Sequence, residues 1–164
     1  MPVLITAACH AEAYQIERLL QAEDVVFADH QNLPAFSSHK FIKISKGNSQ
    51  SFAHEILTLC LDHQITQIFP LYKDEISTLS ESKLLFEEFG ISIIVPSVSW
   101  LKSYTHKPND KPINVVIFEK GEVIAGNLPG KFNLPEEKAT GIFTWNEYNH
   151  SISYNLYSIT DDYV

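Results

Sequence analysis

The stretch that most constrains the fold runs from Gln67 to Ser97, QIFPLYKDEISTLSESKLLFEEFGISIIVPS. The apolar run 67–71 predicts a buried strand, residues 75–89 predict an amphipathic helix that ends at Gly90, and residues 91–95 predict a second buried strand. We expect four apolar side chains of this helix to point inward: Leu79, Leu84, Leu85 and Phe89. Because a helix that joins two buried strands forms a crossover unit, the stretch predicts a parallel sheet.

The residues before this stretch repeat the same alternation. Short apolar runs at 3–7, 24–29 and 40–44 predict strands that are covered on both faces. Apolar residues at helical spacing predict one helix around 14–20 and another around 52–61. Strands that alternate with helices predict an α/β fold, here a Rossmann-like parallel sheet with helices on both faces.

The pattern changes after residue 96. Two pairs of short β patterns, 113–118 with 122–126 and 141–147 with 151–159, each predict a hairpin. The sequence therefore predicts a small C-terminal β-hairpin unit in addition to the α/β sheet.

Domain boundaries follow from this change. Residues 103–112 are polar and contain two prolines, so we expect a linker between an α/β domain at 1–102 and a β-rich extension at 113–164. Isolated hairpins of this length are marginally stable, so we expect the extension to pack on the main domain.

Composition limits the classes of function. The 164-residue chain has a formal net charge of -8, and without a Lys/Arg cluster it offers little to a nucleic acid. No apolar run is long enough to span a membrane, and the N-terminal run lacks the features of a signal peptide. Cys9 and Cys60 are far apart, which fits reduced thiols and a cytoplasmic protein.

Several segments carry a resemblance to a known family. They are the strand at 3–7, the acid Asp29 that ends the second strand, AFSSHKFIKIS at 35–45, FEEFGI at 86–91 and Pro96-Ser97. In these segments the chain resembles the pre-ATP-grasp domain of ATP-grasp ligases, especially those related to the carbamoyl phosphate synthase large subunit. The resemblance covers roughly residues 1–97 and implies a fold more firmly than a function.

The departures from that family are informative. Its members have a glycine-rich turn after the first strand, but here residues 8–13 contain no glycine, and neither GxxxxGK[ST] nor GxGxxG occurs. The ATP-grasp fold proper needs on the order of 200 further residues. By resemblance, the chain lacks the part that hydrolyses ATP, so we expect neither a cofactor nor tight binding of ATP. This favours a noncatalytic binding or interaction module, possible partners being a separately encoded ATP-grasp protein or a second copy of the chain.

Polar residues follow three of the predicted strands, at the edge where open parallel sheets bind ligands. The candidate site residues are Cys9, His10, Asp29, His30, Lys73, Asp74 and Glu75. They could bind a ligand or act as acid and base, which leaves a small ligand-binding protein or enzyme as the alternative function. Their spacing matches no metal-ligand signature, so no metal site is predicted. Solvated loop polarity, or for Asp74 and Glu75 a helix-capping role, also explains them.

A second group of residues suggests an interface. Trp100, Leu101 and Tyr104 follow the last predicted strand, where the family's next domain would begin, and Trp145 lies among the aromatic residues of the tail. The tail can cover these apolar side chains, or a second copy can cover them across a two-fold interface. We therefore predict a homodimer with these residues near its centre.

Overall fold

The structure is a computed structural model that describes residues 1–32, 39–106, 114–128, 130 and 132–160. Within it the chain forms two compact units. Unit 1 comprises Met1–Ile93 and the C-terminal segment that begins at Ser158, and unit 2 is Ile94–Tyr157. The chain therefore returns to unit 1 for its last described residues.

Unit 1 is built on a five-stranded parallel sheet, with strand order β3-β2-β1-β4-β5. The strands are β1 (Val3–Ile5), β2 (Val25–Asp29), β3 (Lys40–Lys43), β4 (Gln67–Phe69) and β5 (Ser92–Ile93). Side chains of the inner strands, such as Leu4, Phe27 and Phe69, are fully buried. The edge strand β3 is not covered on both faces as predicted, because its two lysines are exposed and its two apolar residues are half-buried. The predicted α/β fold with a parallel sheet is confirmed.

Four helices flank this sheet. They are α1 (Ala11–Leu20), α2 (Phe52–Asp62), α3 (Lys73–Ser80) and α4 (Lys83–Glu88). The inward face of α1 contributes Ala13 and Ile16 to the core, and α2 contributes Phe52, Ile56 and Cys60. The helical periods in the sequence therefore mark the faces of α1 and α2 that are buried.

The single helix predicted at 75–89 is wrong in its second half. The chain turns after α3, where the Ser82 N–H donates to the Leu79 carbonyl at 3.0 Å, and α4 starts with a new rotational phase. Phe86 is consequently the buried residue of α4. Three of the four side chains predicted to point inward are exposed: Leu84 (77%), Leu85 (44%) and Phe89 (51%). The predicted stop is confirmed, since Gly90 has a φ of 74° and its N–H donates to the Glu87 carbonyl at 3.0 Å.

Unit 2 contains a short helix and a four-stranded antiparallel sheet of order β7-β6-β8-β9. Its elements are α5 (Val98–Ser103), β6 (Asn114–Glu119), β7 (Glu122–Gly126), β8 (Gly141–Tyr148) and β9 (Ser151–Leu156). Both predicted hairpins are present, but the last strand, predicted to run to residue 159, ends at Leu156, and Ile159 forms a bridge with Tyr72 in unit 1 instead. The two residues of each turn have positive φ, 50° and 85° at Lys120-Gly121 and 49° and 63° at Asn149-His150, as tight hairpin turns require.

Some expectations lie outside the described residues or stay predictions. Residues 35–38 of the family-like segment and 107–113, most of the predicted linker, are outside. The boundaries 1–102 and 113–164, and the packing of the extension on the main domain, stay predictions. Among the described helices, none is long and apolar enough to cross a membrane.

Candidate functional site at the carboxyl edge of the parallel sheet

The loops after β1, β2 and β4 meet around one buried carboxylate, that of Asp29. Its Oδ2 accepts a hydrogen bond from the backbone N–H of Cys9 at 2.9 Å, and its Oδ1 accepts one from the backbone N–H of Gln31 at 3.0 Å. The Tyr72 hydroxyl donates to the same group, 3.0 Å from Oδ1 and 3.2 Å from Oδ2. Asp29 is fully buried, and it joins the ends of three strands.

This arrangement gives the acid at the end of β2 a structural role. In dinucleotide-binding Rossmann folds, an acid in that region hydrogen-bonds the ribose hydroxyls of the cofactor. Here both oxygens of Asp29 already accept hydrogen bonds from the protein, and no side-chain surface is open to solvent. Asp29 therefore holds the site together and does not reach into it.

Tyr72 packs against two histidine rings. Its ring centroid lies 5.5 Å from that of His10, edge to face, and 4.8 Å from that of His30. His30 Nδ1 also lies 3.5 Å from Asp29 Oδ1. These contacts fix the phenol in the orientation in which its hydroxyl reaches the buried carboxylate.

Cys9 is the exposed thiol of this edge. Its Sγ lies 3.7 Å from the Asn32 carbonyl oxygen. Although the residue is exposed, partial burial of its sulfur and then the negative charge of Asp29 raise the pKa of the Cys9 thiol to about 11. The thiol is therefore neutral near pH 7, whereas catalytic cysteines have depressed pKa values.

The loop after β3 forms another side of the site, and the sequence reasoning missed it. Gly47 packs directly on the first turn of α3: a Cβ there would collide with the backbone nitrogen of Glu75 and lie 2.7 Å from its Cα. The Thr78 hydroxyl donates to the Gly47 carbonyl at 2.6 Å. The available signal was a glycine just after a predicted strand of a parallel sheet, because that strand also ends at the ligand-binding edge.

The C-terminal segment, defined here as residues 158–160, reaches the same edge from the end of the described chain. Ile159 forms a parallel bridge with Tyr72. Its N–H donates to the Leu71 carbonyl at 2.7 Å, and its carbonyl accepts from the Lys73 N–H at 3.0 Å. Nothing in the hydrophobic pattern of the sequence indicated this contact.

These loops enclose a cavity of about 430 Å³. It is lined by His30, Lys46, Gly47, Asn48, Tyr72, Lys73, Asp74 and Thr160. Two lysines, one carboxylate, an imidazole, a phenol, an amide and a hydroxyl thus surround a space large enough for a small metabolite. Such a lining suits a ligand with an anionic group, and Asp74 suits a ligand that also carries a cation.

The predicted site residues take different positions. His30, Lys73 and Asp74 line the cavity, and His10 contacts its Tyr72 wall. Asp29 lies fully buried behind that wall, and Glu75 is fully buried in the first turn of α3. The N-cap residue of α3, Tyr72, makes no side-chain cap, and Asp74 and Glu75 are acids in the first turn, where they complement the helix dipole. Within the described ranges, no three His, Cys, Asp or Glu side chains are grouped to hold a metal ion.

A family model places this unit among known proteins. The model of the PylC-like N-terminal domain matches residues 3–94, which is more than half of the chain and nearly the whole parallel sheet with its helices. The chain belongs to the PylC-like N-terminal domain family. This is the pre-ATP-grasp domain of ATP-grasp ligases, so the resemblance in the sequence is confirmed; no ATP-grasp domain is detected. No curated protein matches the chain.

The predicted interface residues lie in unit 2, outside the PylC-like domain. Trp100 stacks on Tyr104 with centroids 4.8 Å apart, and it meets the buried Phe143 edge to face at 5.3 Å. Trp145 donates its indole N–H to the Asn127 carbonyl at 2.7 Å, and Leu101 is half-buried. Much of the aromatic surface of unit 2 is thus packed within the unit, while the homodimer stays a prediction.

Proposed function

We propose that the chain is a noncatalytic binding module, and that its PylC-like domain holds a small anionic or zwitterionic molecule in the cavity at the carboxyl edge of the sheet. The observation that carries the proposal is the cavity lining, which combines two lysines, Lys46 and Lys73, with one acid, Asp74. His30, Lys73 and Asp74 are the proposed ligand contacts among the residues that the sequence singled out.

The charge of the chain makes this lining informative. The whole protein carries a formal net charge of -8, so two lysines and one acid at a single concave site run against the average surface. The two ammonium groups can pair with an anionic group of a ligand, while Asp74 and the buried carboxylates of Asp29 and Glu75 near it favour a ligand that also carries a cation. The cavity volume of about 430 Å³ lies in the range of small-molecule sites.

Binding is favoured over catalysis by what the reactive groups do. The Asp29 carboxylate is engaged by donors of the protein, and the pKa of the Cys9 thiol is raised, whereas activated cysteines have a lowered pKa. Asp29 and His10 act through Tyr72 and are positioning residues in this proposal. Cys9 and Glu75 have no ligand contact in it.

The test is calorimetric titration of the whole chain with inorganic phosphate, succinate, L-glutamate and Mg-ATP. At least one of the first three should bind with a dissociation constant below about 1 mM, which corresponds to roughly -4 kcal/mol. Mg-ATP should show no micromolar binding. Lys73→Met should weaken the anion about tenfold, and Lys102→Met, on α5 and outside the cavity, should leave it unchanged. Absence of binding by all three anions would contradict the proposal.

The proposed setting is an ATP-grasp system in which the chemistry belongs to a separately encoded partner. The relation of the PylC-like domain to ATP-grasp ligases supports this setting. A homodimer, with Trp100, Leu101, Tyr104 and Trp145 near its centre, is part of the same proposal, because these four residues are only half-buried and two-fold dimers are the commonest closed assemblies. Sedimentation of the wild type at micromolar concentration should show a dimer, and a monomer would contradict the proposed homodimer.

A further inference from the structure

The C-terminal segment takes the place of a helix cap. The first N–H groups of an α-helix have no partner within the helix, and a side chain of the N-cap residue usually accepts from one of them. At the start of α3 the N-cap residue is Tyr72, whose side chain makes no such cap. Its hydroxyl donates to Asp29, and the Ile159 carbonyl accepts the Lys73 N–H at 3.0 Å instead. Residue 159 therefore completes the start of α3.

The same segment reaches the cavity. Thr160 lines it together with Lys73 and Asp74, the first two residues of α3. The two backbone hydrogen bonds of Ile159 thus fix the backbone at Lys73. They also position the next residue, Thr160, in the cavity wall. The start of α3 therefore both binds the C-terminal segment and lines the cavity.

We propose that the C-terminal segment is a part of the binding site: it fixes the start of α3 through Ile159, and its Thr160 contacts the bound anion. This inference rests on the proposed function for the ligand and on the hydrogen-bond geometry for the segment. Docking of the segment and binding of the anion then stabilise each other, because both need Lys73 and the first turn of α3 in one position.

The strength of this attachment suits such coupling. Two backbone hydrogen bonds among the described residues hold Ile159. Two net hydrogen bonds correspond to roughly a ten- to hundredfold change in an equilibrium constant. Loss of the segment should leave the parallel sheet intact, since β1 to β5 are paired with one another.

The test uses Ile159→Pro, which removes the N–H that reaches the Leu71 carbonyl, with Ser158→Ala as the matched control. Residue 158 is exposed and makes no backbone hydrogen bond to α3. Two quantities are measured on the full chain: hydrogen exchange of the Lys73 amide, and binding of inorganic phosphate and succinate. Ile159→Pro should speed exchange of the Lys73 amide at least tenfold, leave the Leu4 and Ile68 amides protected, and weaken the anion at least tenfold. Ser158→Ala should match the wild type in both.

The two readouts separate the possible failures. If Ile159→Pro leaves hydrogen exchange of the Lys73 amide unchanged, the segment does not hold α3. The inference is then overturned regardless of the result for anion binding. If exchange rises but the anion binds as tightly as before or more tightly, the segment is outside the site and the inference is again overturned. If the wild type binds neither of these anions nor L-glutamate, the proposed function fails, and the role of Thr160 falls with it. Thr160→Val should in addition weaken the anion by a smaller factor without changing exchange at Lys73.

Discussion

The two units use their side chains in opposite ways. In unit 1, parallel strands bring polar residues from distant parts of the sequence to one edge, where Asp29, Tyr72 and Lys73 surround or support a cavity. In unit 2, antiparallel hairpins bring aromatic residues together, and rings such as Trp100 and Phe143 pack on one another. The comparison indicates that residues suited to ligand recognition form a binding site only where the fold leaves them facing a concave surface.

The largest effect we predict concerns the aromatic core of unit 2. Phe143 is fully buried and meets the rings of Trp100, Phe118 and Tyr154. Phe143→Ala should lower the free energy of unfolding by about 3–5 kcal/mol, because it leaves a cavity among these rings. Tyr148→Ala, at a position that is 75% exposed, is the control and should change it by less than about 0.5 kcal/mol. If urea unfolding showed equal losses of stability for Phe143→Ala and Tyr148→Ala, the aromatic residues of unit 2 would not be its core.

The second prediction addresses the anchor of unit 1. Asp29→Asn keeps the shape but turns one acceptor into a donor that faces N–H and O–H donors. We expect a loss of roughly 2–4 kcal/mol in the free energy of unfolding, since hydrogen bonds to charged groups are strong and an unsatisfied buried donor is costly. Asp24→Asn, at an exposed residue just before β2, should have almost no effect. An Asp29→Asn chain as stable as the wild type would mean that the carboxylate does not hold the strand ends.

The third prediction tests the chemistry of Cys9 by its pH dependence. With the pKa of Cys9 raised to about 11 from the ordinary 9.0, the folded chain should contain roughly 100-fold less Cys9 thiolate at pH 8 than an unperturbed cysteine. Alkylation by iodoacetamide should therefore be slow, and its rate should keep rising with pH beyond about pH 10. In urea the rate should become that of an ordinary thiol, half-maximal near the ordinary pKa of 9.0. A rate that is half-maximal near pH 9 in the folded chain would make Cys9 an ordinary thiol, and one that is half-maximal at clearly lower pH would make it an activated thiol and reopen a catalytic role.

The smallest effect we predict concerns the contact between Gly47 and α3. Gly47→Ala should destabilise unit 1 by about 1–2 kcal/mol and weaken anion binding, because the added methyl group pushes the start of α3 away. Gly130→Ala is the matched control, since a Cβ there meets nothing within 4 Å. Equal stability and binding of the two variants would show that the loop after β3 does not position the site.

The sequence revealed the parts of the fold that depend on periodicity and on turn residues. The inner parallel strands are apolar on both faces, and each hairpin turn has a glycine or an asparagine at one of its two residues of positive φ, so both were predictable. The break between α3 and α4 was not, because Ser82 resets the helical phase without a glycine or proline to mark it. Leu84 was therefore assigned to the core although it is exposed.

The candidate site was predictable only in part. Residues directly after β2 and β4 could be placed at the carboxyl edge, and His30, Lys73 and Asp74 do line the cavity. The contributions of Gly47 and Ile159 depend on backbone contacts across 28 and 86 residues of sequence, respectively, counted from Glu75 and Lys73. Such contacts leave no local pattern of hydrophobicity or charge, so tertiary structure was needed to find them.

The most direct test of the central claim is a map of backbone amide shifts during titration of the isotope-labelled full chain with succinate and inorganic phosphate. If the cavity is the binding site, saturable shifts should cluster at residues 30–31, 46–48, 72–75 and 158–160, and the amides of β6 to β9 should not move. Shifts concentrated in unit 2, or no saturable shift with either anion, would contradict the claim that the parallel edge of the PylC-like domain is where this chain binds.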